Sequence, residues 1–210
     1  MADPQALALR LRRFERAERL VHRAVAVLMF TAVGTAAILY NGFLSEPIGH
    51  RRWVKRIHVW SGFGLLVPVV IGLVSAAFRA DLRRLNRFSS ADFQWLRTKT
   101  RRDGAIPVGK FNAGQKLNAA LSTGAIVVLL VTGTLMYFPS STRLSWRQGA
   151  SFVHDWFALG VGLLVIGHIS YAMRDKESRR GMRTGKVSTD WARSNHAAWA
   201  AEMGVAEKET

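Results

Sequence analysis

Apolar positions fall into four long runs along the chain, separated by segments that carry almost all of the charge. The runs cover residues 24–44, 57–78, 117–139 and 156–173, and none of them contains Lys, Arg, Asp or Glu. A bilayer core about 30 Å thick is crossed by roughly 20 apolar residues in a helix. Every backbone polar group in lipid must be paired within its own segment, which favours helices. The pattern therefore predicts an all-α membrane protein, a bundle of four transmembrane helices.

The same pattern divides the 210 residues into three parts. We expect a cytoplasmic basic segment at residues 1–19, a membrane domain at 20–174 and a cytoplasmic tail at 175–210. The first segment is expected to form an amphipathic helix at the membrane surface, and the tail to be polar and partly helical. The predicted spans are about 20–44, 55–78, 114–138 and 151–174.

The distribution of basic residues predicts the topology. The chain has 30 Lys and Arg and a net charge of +16. Residues 1–23, 79–116 and 174–210 carry 24 of these basic residues, and the two remaining loops carry 6. Lys and Arg that flank membrane spans prefer the cytoplasmic side. We therefore expect both termini in the cytoplasm, and we interpret the charge as a property of topology and lipid contact rather than nucleic-acid binding.

The sequence contains no cysteine. This excludes disulfides, a covalently attached haem and iron–sulfur clusters held by thiolates. A redox cofactor in this chain would have to be held non-covalently, by histidine or methionine side chains.

Four of the six histidines lie within or at the rim of the predicted spans: His22, His58, His154 and His168. Because successive spans run in opposite directions, His22 and His168 are expected near the cytoplasmic face, and His58 and His154 near the outer face. On the fourth span, 14 residues return the helix to within about 40° of the same face and advance it roughly 21 Å. A haem iron takes two axial ligands, and histidine is one of them. The depth pairing predicts two b-type haems, one near each face of the bilayer.

The remaining polar groups near the spans support simpler interpretations. A single intramembrane histidine is often only a hydrogen-bonded contact between helices, so a haem-free membrane anchor stays an alternative. We expect His50 and His196 to be solvated or in contact with a partner. Asp155 either orients the imidazole of His154 or caps the outer rim of its helix.

Two further segments resemble the cytochrome b (gamma) subunit of membrane-bound respiratory formate dehydrogenase. Residues 109–116, Gly-Lys-Phe-Asn-Ala-Gly-Gln-Lys, are similar to the loop that leads into the third helix of that subunit. Residues 185–199, with Trp191, His196 and Trp199, are similar to its C-terminal tail. The similarity runs from about residue 13 to 200, and the histidine spacing in the fourth span agrees with it.

The resemblance implies an electron-transfer subunit in the bacterial inner membrane. Electrons would arrive from an iron–sulfur (beta) subunit on the outer side, pass through the outer and then the inner haem, and reduce menaquinone or ubiquinone near the cytoplasm. Formate oxidation itself would take place on a molybdenum- or tungsten-containing catalytic (alpha) subunit, so we assign no catalytic residue to this chain.

The resemblance also assigns residues to these cofactors. It implies that His58 and His154 hold the outer haem and that His22 and His168 hold the inner haem. The implied quinone pocket is lined by Asn112, Gly114, Gln115 and His168. One position departs from the family, because Arg23 follows His22 where an aromatic residue is frequent. The alternative is the same chemistry with another partner, as the cytochrome b subunit of a nickel–iron hydrogenase or of another molybdoenzyme.

Overall fold

The protein is mostly helical in the computed structural model, which describes residues 10–205. In chain order the elements are β1 (Arg10–Arg12), α1 (Arg16–Tyr40), α2 (Gly42–Ile48), α3 (Arg51–Gly64), α4 (Leu66–Gly72), α5 (Ala76–Leu85), α6 (Ser90–Arg97), α7 (Ala113–Tyr137), α8 (Leu144–Arg174), α9 (Lys176–Thr184), β2 (Lys186–Ser188), α10 (Thr189–Asn195) and α11 (Ala197–Glu202).

Four helical segments are long and apolar enough to cross a membrane, as the sequence predicts. They are α1 with 25 residues, α3 and α4 together with 22, α7 with 25 and α8 with 31. The second segment is interrupted at Leu65, three residues before Pro68. Proline has no N–H to give to the carbonyl four residues earlier, which here is Gly64, and its ring crowds that carbonyl. The interruption therefore has a local cause in the sequence.

Helix ends differ from the predicted span limits where a capping side chain intervenes. Asn41 accepts a hydrogen bond from the backbone N–H of Phe43 and begins the separate helix α2, so α1 ends at Tyr40. Ser75 accepts from the N–H of Phe78 and begins α5 in the same way. Side chains of this kind satisfy backbone N–H groups that a helix start leaves unpaired. Apolar runs alone do not show these interruptions.

The chain separates into two compact units. The apolar unit consists of residues 20–74 and 121–167 and contains the whole of the second membrane-length segment and the larger part of each of the other three. The basic unit consists of residues 75–120 with the described parts of the two terminal regions, 10–19 and 168–205.

A two-stranded antiparallel sheet ties the two terminal regions together in the basic unit. Leu11 of β1 pairs with Val187 of β2. Val187 is fully buried in a cluster with Ala192, Trp199 and Ala200. Residues 10–15 thus form a strand and a connection rather than the expected surface helix, and that prediction is wrong for them. Residues 1–9 lie outside the described part of the chain.

Candidate functional site

Two of the predicted ligands face each other inside the apolar unit. His58 on α3 and His154 on α8 have ring centroids 6.2 Å apart, with an angle of 71° between the ring planes. A metal ion binds an imidazole nitrogen at about 2 Å, and the ring centre lies roughly 1 Å behind that nitrogen. Two imidazoles on opposite sides of one iron therefore have ring centres about 6 Å apart. The observed separation fits ligation of a single haem iron.

Hydrogen bonds fix which nitrogen of each ring is available. Nδ1 of His58 lies 3.1 Å from the carbonyl oxygen of Ala32, which can only accept, so Nδ1 carries the proton. Nδ1 of His154 lies 2.9 Å from Oγ1 of Thr132. That hydroxyl already donates to the carbonyl of Val128 over 2.7 Å, so it accepts from His154. In both rings Nε2 is left with its lone pair, as a metal ligand requires.

Gly133 packs directly against the imidazole of His154, which leaves little space for a side chain at that position. A Cβ on Gly133 would lie 3.3 Å from Cε1 of His154, closer than side chains ordinarily approach. Gly64 packs against a neighbouring helix, because a Cβ there would lie 3.3 Å from Cδ2 of Leu28. Asp155 is exposed, and the hydrogen bond to Nδ1 of His154 comes from Thr132.

The other two predicted ligands belong to different units. His22 lies in the second turn of α1, within the apolar unit, and His168 lies two turns before the end of α8, within the basic unit. Both side chains are exposed on the polypeptide surface, and each makes an interaction with the rest of the protein. α8 is unbroken between His154 and His168. Joint ligation of an inner haem by His22 and His168 stays a prediction.

The predicted quinone segment forms the start of α7. Oδ1 of Asn112 accepts from the N–H of Gln115 over 2.9 Å, and Oε1 of Gln115 accepts from the N–H of Asn112 over 3.1 Å. This reciprocal arrangement is a capping box, which satisfies backbone N–H groups at a helix start. A Cβ on Gly114 would lie 3.0 Å from the indole of Trp95. All three residues therefore have structural roles, and their contact with quinone stays a prediction.

The position of His196 corrects the sequence interpretation. We expected a solvated or partner-contacting residue, but its side chain is only 1% exposed. Its Nδ1 donates to the carbonyl of Gly109 over 2.7 Å, and its Nε2 accepts from Arg13 over 3.1 Å. Arg13 also donates to the carbonyl of Lys110 over 2.8 Å, and its guanidinium lies 4.7 Å from the ring centre of Trp191. Aromatic residues on both sides of His196 in the sequence were a signal for this burial.

Burial controls the charge of this pair. It holds the pKa of His196 well below its usual range, with the adjacent Arg13 charge acting in the same direction. It also lowers the pKa of Arg13 to about 9, against the attraction of Asp175 and Asp81. At neutral pH a charged guanidinium thus donates to a neutral imidazole.

Sequence reasoning missed a second buried cluster, formed by Asp81, Lys110 and Glu18. Nζ of Lys110 lies 2.6 Å from both carboxylate oxygens of Asp81 and 3.4 Å from Oε1 of Glu18. All three side chains are nearly buried. Burial and contact with the Glu18 carboxyl raise the pKa of Asp81 to about 7, although the Lys110 ammonium opposes the shift. The charge count of segment 79–116 considered only Lys and Arg, so the carboxylate of Asp81 in that segment was overlooked.

Four membrane-length helices with two opposed imidazoles among them are typical of a membrane cytochrome. The model of the family described as prokaryotic cytochrome b561 matches residues 13–185, and the chain belongs to that family. It is an integral membrane protein whose family binds b-type haem.

Among similar proteins of known function are three formate dehydrogenase subunits. The nitrate-inducible cytochrome b556(Fdn) subunit of Escherichia coli (strain K12) is 28% identical over 79% of this chain and 77% of its own length. The cytochrome b556 subunit of Haemophilus influenzae is 27% identical over 91% of this chain and 82% of its own. The cytochrome b556(fdo) subunit of Escherichia coli (strain K12) is 24% identical over 91% and 92%.

Proposed function

We propose that this chain is the di-haem cytochrome b subunit that anchors a formate dehydrogenase in the bacterial inner membrane and carries its electrons to quinone. The observation that carries the proposal is the pair of opposed imidazoles, His58 and His154, with ring centroids 6.2 Å apart. Formate oxidation belongs to a molybdenum- or tungsten-containing alpha subunit, and an iron–sulfur beta subunit delivers the electrons. Three similar proteins are named as cytochrome b556 subunits of formate dehydrogenases, which supports formate dehydrogenase as the complex.

Each haem is assigned to one histidine pair. His58 and His154 hold the outer haem through Nε2, and their hydrogen-bonded Nδ1 groups keep the rings oriented. His22 and His168 hold the inner haem. Each bound haem supplies reversible one-electron transfer. A single helix, α8, bears one ligand of each pair, with 14 residues or roughly 21 Å of rise between them. This spacing supports two sites in series along one helix.

Quinone is assigned to the start of α7. Asn112 and Gln115 use their side-chain oxygens in the capping box, which leaves their amide N–H groups as hydrogen-bond donors for a quinone carbonyl. Asn112 and Gln115 lie in segment 79–116, which has 10 basic residues and is one of the three segments that together carry 24 against 6 in the other loops. This charge distribution supports a cytoplasmic location. Protons for quinol formation would then come from cytoplasmic water.

The alternative functions of this chain differ only in the enzyme that it anchors in the membrane. A cytochrome b of this family could equally anchor a nickel–iron hydrogenase or another molybdoenzyme, since the substrate is bound by a different polypeptide. An affinity tag on this chain allows the whole complex to be purified under mild solubilisation and its subunits to be identified by mass spectrometry. We expect an iron–sulfur protein and a molybdenum or tungsten enzyme, with formate reducing the haems and then added quinone. Co-purification of a nickel–iron subunit, or haems that formate does not reduce, would contradict the proposal.

A further inference from the structure

Each histidine of the opposed pair is bound by a threonine of the preceding membrane helix. Nδ1 of His58 lies 3.2 Å from Oγ1 of Thr35 on α1, and Nδ1 of His154 lies 2.9 Å from Oγ1 of Thr132 on α7. The sequence separations are nearly equal, 23 and 22 residues. Both threonines are buried, although α1 and α7 are mostly exposed on the polypeptide surface.

The direction of both hydrogen bonds follows from the other bond of each hydroxyl. Oγ1 of Thr35 donates to the carbonyl of Thr31 over 2.6 Å. Oγ1 of Thr132 donates to the carbonyl of Val128 over 2.7 Å. A hydroxyl has one proton, so each oxygen is left to accept from the imidazole. The backbone carbonyl three residues before each threonine is a further acceptor for the same ring, Ala32 for His58 and Leu129 for His154.

The two halves of the apolar unit share short sequence motifs near these pairs, although the first glycine follows the histidine by four residues in the first half and by six in the second. The first half contains His58-Val-Trp60 and then Gly62-Phe-Gly-Leu-Leu66. The second contains His154-Asp-Trp156 and then Gly160-Val-Gly-Leu-Leu164. A threonine–histidine contact with nearly the same sequence separation occurs in both halves, which favours a shared role for the two threonines.

We propose that Thr35 and Thr132 are positioning residues that hold the Nδ1–H forms of His58 and His154 and thereby lower the reduction potential of the haem these histidines bind. This inference rests on the proposed function, because it requires a haem between the two rings. A hydrogen bond accepted from Nδ1–H makes the opposite nitrogen a more basic ligand. A more basic ligand stabilises ferric over ferrous iron, so removing the acceptor raises the potential.

The test replaces each hydroxyl by a methyl group of similar size in the purified, haem-loaded complex. Thr35→Val and Thr132→Val should each lower the ferric-to-ferrous ratio of one haem about three- to tenfold, measured at a fixed applied potential. Tenfold corresponds to 59 mV for a one-electron couple. The haem affected should be the one that disappears in His58→Ala. The electron paramagnetic resonance signal of this haem in its low-spin ferric state should also shift, because the orientation of the histidine rings is less restricted.

Matched variants on the same helices serve as controls. The hydroxyls of Thr31 and Thr134 donate to their own helices, to the carbonyls of Val27 and Leu130. Thr31→Val and Thr134→Val should therefore leave the potential unchanged, and Thr35→Ser and Thr132→Ser should retain the wild-type value. Loss of haem in a valine variant with full retention in the serine variant would also support a positioning role.

Three results would overturn the inference. They are unchanged potentials in both valine variants with the haem bound, equal shifts in the Thr31 and Thr134 controls, and a shift in the haem that His58→Ala retains. Failure of the proposed function is recognised separately, since His58→Ala would then leave the haem content unchanged.

Discussion

Arg13 and His196 meet inside the basic unit, where the guanidinium of Arg13 donates to Nε2 of His196 over 3.1 Å. The pair joins the region just before the first membrane helix to the C-terminal tail, and through Gly109 it reaches the segment that leads into α7. Arg13 is nearly fully buried, and its Nε has no hydrogen-bond partner among the described residues. The guanidinium donates to His196 and to the carbonyl of Lys110, so the loss of either acceptor would leave a buried N–H group unpaired.

Replacing His196 should destabilise the basic unit. His196→Ala removes the acceptor for Arg13 and the donor for the Gly109 carbonyl, and a buried polar group left unpaired costs about 1–3 kcal/mol. We expect a clearly lower apparent melting temperature, measured by tryptophan fluorescence of the solubilised protein. Ala201→Ser, an exposed change in the same tail, should have little effect. Equal melting temperatures for His196→Ala and wild type would show that the pair contributes nothing to stability.

Asp81 should make stability depend on pH in a defined direction. Its folded-state pKa is raised from 3.8 to about 7, chiefly by burial. The folded protein therefore binds this proton more tightly than the unfolded chain, and the associated stability is present below about pH 4 and lost as pH rises through 7. Lys110 and Glu18 are the charged groups in contact with the Asp81 carboxyl.

Asp81→Asn tests this direction, because it mimics the protonated acid at every pH. The melting temperature of wild type relative to Asp81→Asn should fall between pH 4 and pH 7 and then level off. Asp103→Asn, a change at an exposed carboxylate of the same segment, should follow wild type across the series. If Asp81→Asn were instead the less stable protein at pH 8, the ion pair with Lys110 would outweigh the cost of burial.

The sequence predicts those features that follow from local rules. Four spans are recognisable because lipid excludes charge from each of them, and span direction alone predicts that His58 and His154 lie at the same depth. The pairing of Leu11 with Val187 was not predictable, because the two residues are far apart in the chain. A strand of three residues is also too short to show an alternation of apolar and polar positions. His196 looked like an ordinary tail residue, since its burial depends on groups brought from residues 13 and 109.

The quinone assignment can be tested without removing the helix cap. Asn112→Asp and Gln115→Glu keep the oxygens that accept backbone hydrogen bonds but replace the amide donors. Haem content and reduction by formate should be unchanged, while quinone reduction falls about tenfold or more, the equivalent of roughly 1.4 kcal/mol in the barrier. Ser89→Ala, which disrupts the capping box of α6 in the same unit, should leave quinone reduction intact. Normal quinone reduction in both amide variants would move the site elsewhere.

The most direct test of the account is the haem content of histidine variants, measured as pyridine haemochrome per purified chain. We expect two haems in wild type and one in both His58→Ala and His154→Ala, because the two histidines are proposed to hold the same haem. His50→Asn is the matched control, since His50 is exposed and has a positive φ of 42° that asparagine tolerates. It should retain both haems. Full haem content in His58→Ala and His154→Ala would contradict the assignment of these opposed imidazoles to a haem.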